Sequence, residues 1–172
     1  MPAVLPGELA GPAFLAVILA AAIVVAARIG PPAAPSRALA AGLPALALQA
    51  AHVAEEFVAG FHLLMPRLIG LEPWSAEFFV AFNLAWIGLW ALALRAFAGG
   101  SPPFAARAAL WFLALAAIGN AVWHPALSIA TGSFFPGTAT ALPLGFFGLL
   151  MARGLASKRS FRLRDESGGA PT

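Results

Sequence analysis

The stretch from Arg37 to Leu64 reads as one long apolar helix, yet it carries His52-Val53-Ala54-Glu55-Glu56 at its middle. Nothing else in the chain constrains the fold as strongly. An ionisable side chain near the centre of a bilayer costs roughly 2.5–3.5 kcal/mol on insertion scales, and three occur here within five residues. They are tolerable only where neighbouring helices close around them and supply partners, so the chain is expected to form a bundle with a polar interior.

Composition agrees. Charged residues make up 10% of the 172 and hydrophobic ones 61%, with a mean hydropathy of +0.88, whereas soluble domains carry about 25% charged residues. This is the signature of an integral membrane protein, all-α, folded as one polytopic helical bundle. The pI near 11.1 is no sign of a nucleic-acid partner. Net charge is only +3, and the basic residues flank apolar runs, where they set orientation. With no cysteine in the chain, disulfides and thiolate metal sites are excluded. No nucleotide-binding glycine loop is present, and Gly99-Gly100-Ser101-Pro102-Pro103 reads as a connection between spans.

Five apolar runs, at about 12–29, 37–64, 74–97, 104–130 and 134–152, approach or exceed the ~20 residues that a bilayer crossing needs. The segment 153–172 is basic and polar and is expected to be a disordered tail. Met1 to Gly11 holds no basic residue, so the first run reads as a retained span and not as a secretory signal. Nine basic residues (Arg28, Arg37, Arg95, Arg107, Arg153, Lys158, Arg159, Arg162 and Arg164) fall on one side of a five-span arrangement, and Arg67 alone falls on the other. This asymmetry places the N-terminus outside and the C-terminus in the cytoplasm, and a cell membrane is the expected host.

At ~1.5 Å of rise per residue, Glu55, Glu56, His52, Asn83, Asn120 and His124 lie between roughly 9 and 21 Å from the outer ends of their spans. They therefore occupy one layer in three helices that run in alternating directions. On the second span Gln49, His52, Glu55 and Glu56 fall within an arc of about 120° at 100° per residue. Ala41, Ala45, Ala59 and Gly60 lie on or beside that arc, whereas Leu43, Leu46, Phe57, Val58 and Phe61 form the opposite, lipid-facing side. Pro44 is expected to kink this helix, and His62 is expected to sit at the interface.

Three kinds of chemistry suit such a layer. Neutral imidazole and carboxylate are ligands for zinc or iron, and His52 with Glu56 at i, i+4 can converge on one divalent ion that His124 approaches from another helix. Glu55 then serves as a further ligand or as a base, with Gln49, Asn83 and Asn120 as supporting polar groups. Alternatively, Glu55 and Glu56 act without metal as a proton donor and acceptor, as in an isomerase-like enzyme. A third possibility is not enzymatic: the same residues form a carrier site, or a hydrogen-bonded network that only fixes helix packing. Membrane lipid is the expected partner and a hydrophobic small molecule the expected substrate.

The string His52-x-x-Glu55-Glu56 on a hydrophobic helix is followed by Asn83, then by Asn120-x-x-x-His124, then by Phe135-Pro136-Gly137-Thr138. In that order, over about Ala38 to Met151, it resembles the HXXEE-motif family of small integral membrane proteins. The resemblance implies that His52, Glu55, Glu56, Asn120 and His124 are characteristic polar positions with an enzymatic role. It implies no particular reaction. Pro125, directly after His124, departs from the family pattern and is expected to bend the helix.

Overall fold

A computed structural model describes residues 10–157, with side chains from Leu15 onward. Within those residues the chain forms six helices and no strand: α1 (Ala10–Ile29), α2 (Pro35–Val58), α3 (Phe61–Leu68), α4 (Ala76–Ala98), α5 (Phe104–Thr131) and α6 (Thr138–Leu155). Four of them, α2, α4, α5 and α6, are long and apolar enough to cross a membrane, and α1 adds a further apolar stretch, Leu15–Ile29. The architecture is an all-α membrane bundle. Most of the expected tail lies outside the described residues, although Arg153 to Leu155 belong to α6.

Local signals account for the helix ends. Pro35 opens α2 at a position where its missing N–H is no loss. The Ser75 hydroxyl caps α4 by accepting from the Phe78 N–H at 3.1 Å, with Glu77 in the first turn and Arg95 in the last to complement the helix dipole. Pro44 and Pro125 are absorbed within continuous helices, so neither ends the helix that contains it.

α5 forms the centre of the bundle. Its residues from Ala108 to Ala114 are all buried, as in a helix surrounded on every side. α6 packs against both α5 and α2, α4 also touches both, and α1 lies on α5. Small residues allow the closest approach: a Cβ at Gly145 would lie 2.3 Å from Ala121 Cβ, and one at Gly148 would lie 2.8 Å from Ala117 Cβ. On the outside, Leu43, Val58, Leu92, Val122 and Ile129 are more than half exposed, a surface suited to lipid.

The second run departs from the single span over 37–64. α2 stops at Val58, Gly60 takes φ +78, and a separate short helix, α3, begins at Phe61. A left-handed residue cannot continue a helix, so the chain changes direction there. Phe61, expected on the lipid side, consequently turns inward to pack against Trp74, Phe79, His124 and Phe135. His62, expected at the interface, is buried, stacked on Phe57 and tilted against Phe79. The last run also starts later than expected, at Thr138, because Phe134 to Gly137 form a loop.

Candidate functional site

α2 and α5 bring His52, Glu56 and His124 together in the interior. One ligand atom from each lies within 4.8 Å of the other two. Glu56 Oε1 is 3.5 Å from His52 Nε2 and 3.4 Å from His124 Nε2, and the two imidazoles meet edge to face with centroids 4.7 Å apart. His52 is fully buried, and His124 and Glu56 nearly so.

The partners of the outer ring nitrogens settle which atoms face inward. His124 Nδ1 lies 2.6 Å from the Pro136 carbonyl oxygen, which can only accept, so Nδ1 carries the proton. His52 Nδ1 lies 2.8 Å from Thr140 Oγ1. That hydroxyl has a single proton, donated to Glu55 Oε2 at 2.6 Å, so His52 Nδ1 also donates. With both rings neutral and Glu56 ionised, each ring would present an Nε2 lone pair to a carboxylate oxygen, and three acceptor atoms would converge with no donor among them. His52 Nε2 is buried without a hydrogen-bond partner. Charge-assisted N–H···O bonds are shorter, about 2.7–2.9 Å. Both Glu56 distances exceed that range, and the three ligand atoms lie within 4.8 Å of one another.

Glu55 does not join this group. Its carboxylate reaches the start of α6, accepting from Ala139 N–H at 3.1 Å, Thr140 N–H at 2.9 Å and the Thr140 hydroxyl. α6 begins at a glycine that has no side chain to cap it, and Glu55 from α2 caps it instead, at the positive end of its dipole. In this structure Glu55, expected as a ligand or base, holds Thr140, and Thr140 in turn bonds His52 Nδ1.

Sequence reading passed over Thr140 and gave Gly137 no function. A Cβ at Gly137 would lie 2.6 Å from His124 Cε1 and 2.8 Å from His52 Cε1. The bare backbone of this loop therefore forms the floor beneath both rings. Ser128 ties the loop to α5, its hydroxyl accepting from Phe135 N–H at 3.0 Å and pairing with the Thr138 hydroxyl at 2.8 Å. The Pro136-Gly137-Thr138 string was the available signal, since proline and glycine ahead of a hydroxyl residue mark a helix start.

Glu56 and His124 open onto a cavity of about 370 Å³, within the range typical of small-molecule sites. Trp74, Phe78, Phe82, Trp86 and Trp90, spaced four apart, line it from the loop ahead of α4 and then along that helix. Gln49, Asn83 and Asn120 also line it. Asn83 donates its Nδ2–H to the Phe79 carbonyl of its own helix at 2.8 Å. His62 stays outside the three-residue cluster. The chain matches no known family model, no curated protein and no solved structure.

Proposed function

We propose that the protein is a metal-dependent membrane enzyme acting on a lipid-like substrate. His52, Glu56 and His124 hold one divalent ion, zinc or iron, and the aromatic cavity receives the substrate. The observation that carries this reading is the convergence of three buried ligand atoms on a space that only a cation or a shared proton can neutralise. The Glu56 distances are longer than charge-assisted hydrogen bonds, which speaks against the shared proton. Two imidazoles and one carboxylate are a donor set that zinc or iron would accept, and Glu56 and His124 border the cavity. An ion held there would supply Lewis-acid chemistry. The protein's own groups hold the ligands in place, exclude bulk water with aromatic walls, and offer the Asn83 and Asn120 amides to a polar group on the substrate.

The residues that carry the HXXEE resemblance also support membership of that family, since His52, Glu56 and His124 meet over the Pro136-Gly137 loop. The basic-residue asymmetry supports a cell-membrane orientation with the C-terminus cytoplasmic.

Protein purified in detergent without chelator should contain about one divalent ion per chain, measured by elemental analysis. A metal-free preparation overturns the reading and leaves a proton shared among Glu56 and the imidazoles. Thr140→Val should weaken metal affinity about 10–100-fold, the usual cost of losing a group that orients a ligand. Thr140→Ser, which keeps the hydroxyl, should stay near the parent in a chelator competition. Equal affinities for the Val and Ser variants would remove Thr140 from the site.

A further inference from the structure

The cavity is open at one end and closed at the other. Of the described residues that line it, only Ile69 and Trp123 are exposed, and Trp123 stands next to His124, so the opening lies at the end that holds the His/Glu cluster. Ala116, which is buried, is the lining residue of α5 farthest from that end. One turn beyond it, Phe112 is fully buried and packs against Trp86 and Trp90 of α4, with ring centroids 4.7 and 5.6 Å away. The two indoles also stack on each other at 5.9 Å. Three aromatic rings in mutual contact thus form the closed end.

The length of the closed part follows from two helices. α6 fixes their relative direction: Thr140 meets Glu55 of α2 and Gly154 lies against Ala38, while Gly137 lies under His124 of α5 and Gly148 against Ala114 and Ala117. α2 and α5 are therefore both antiparallel to α6 and parallel to each other. From the contact between Glu56 and His124, the lining runs seven residues along α2 to Gln49 and eight along α5 to Ala116, or about 10 and 12 Å at ~1.5 Å per residue. The two lengths agree. An extended chain advances about 1.2 Å per bond, as a peptide backbone does with three bonds in about 3.3–3.6 Å, so the stretch beyond the cluster takes about nine or ten carbons.

We propose that the cavity is a ruler for a single unbranched alkyl chain. The substrate's reacting group lies beside Glu56 and His124, its tail runs inward past Gly119, and the Trp86, Trp90 and Phe112 rings limit that tail to about ten carbons. At about 370 Å³ the cavity is near the lower end of small-molecule sites and extends lengthwise, which suits one slender chain. Gly119 lines it five residues short of His124, and a Cβ there meets nothing within 4 Å. A larger side chain at that position would fit and would stand in the tail's way. The inference rests on the lipid-like reading of the site, but it does not require the metal.

The test uses the full chain in detergent and straight-chain alcohols of about four to sixteen carbons, brominated at the far end. The hydroxyl donates to the cluster or binds an ion held there, and the bromine quenches indole fluorescence when it arrives beside Trp86 and Trp90. Saturable quenching, corrected for partition into the micelle, should keep its affinity up to about ten carbons and weaken at least about tenfold by fourteen, because the added methylenes find no room beyond the cluster. Gly119→Leu should move the limit to about six carbons, the ~7.5 Å between that position and His124. Gly88→Leu is the matched control. Gly88 is exposed, its Cβ would meet nothing within 4 Å, and it does not line the cavity, so the parent's limit should hold. Leucine is the better helix former at both sites. The parent series decides by itself whether a limit exists, whether or not the variants fold. Affinity without a length limit in the parent, or one limit shared by the parent and Gly119→Leu, overturns the ruler and leaves the lipid-like substrate standing. No saturable quenching at any length in the parent overturns both, and metal content of the same preparation judges the metal centre by itself.

Discussion

His124→Ala should lower bound divalent metal by at least about a hundredfold in affinity, beyond the 10–100-fold that groups orienting a ligand command. His52→Ala should do the same, and Glu56→Gln should follow because it removes the only anionic donor of the three. His62→Ala is the matched control. It deletes a buried imidazole that packs against Phe57 and Phe79 and lies outside the cluster, so metal content should hold while packing suffers. Linkage gives a second readout. A ligand at about a hundred times its dissociation constant stabilises the folded state by about 2.7 kcal/mol. Chelation should therefore lower the unfolding midpoint of the parent and leave that of His124→Ala unmoved. A parent midpoint indifferent to chelator, together with unchanged metal in His124→Ala, would mean that the cluster holds a proton and serves acid–base or structural ends.

Much of this arrangement can be read from the chain, because charge in an apolar span is expensive and has to be repaid in a definite place. The i, i+4 spacing sets His52 and Glu56 on one side of α2, and depth counting brings His124 to their level; in the structure these three are neighbours. What the chain conceals is the third dimension. A helical wheel gives the direction in which Glu55 points but not that the start of α6 lies there, so a carboxylate engaged in capping looks the same as a catalytic one. The break at Gly60 is hidden for a different reason. Ala59 and Gly60 extend a stripe of small residues that any close-packed helix would carry, and only the left-handed φ of Gly60 shows that the stripe ends there and that Phe61 turns inward. Thr140 is inconspicuous in an apolar run, and its importance arises from standing between Glu55 and His52.

Gly137→Ala should uncouple the site from the fold more cleanly than any ligand substitution. Gly137 has φ +91, where a residue with a Cβ is disfavoured by roughly 1–2 kcal/mol. Strain of that size is small against the stability of a typical folded domain, about 5–15 kcal/mol, so the bundle should still assemble. The larger effect is steric, since the new methyl would press on both imidazoles at 2.6–2.8 Å. Neither ring can retreat without giving up its anchor, the Pro136 carbonyl for His124 and the Thr140 hydroxyl for His52. Metal affinity should consequently fall by about a hundredfold or more, because two ligands move at once and each is normally worth at least the 10–100-fold of an orienting contact. Gly132→Ala isolates the steric part. Gly132 also has a left-handed φ, +63, but a Cβ there meets nothing within 4 Å, so that variant carries the backbone strain without the collision. If the two alanine variants lose metal equally, strain in the α5–α6 connection accounts for the loss, and Gly137 is not the floor of the site. If only Gly137→Ala loses it while both keep the helical content of the parent, the bare backbone beneath His52 and His124 is what holds their Nε2 atoms toward Glu56.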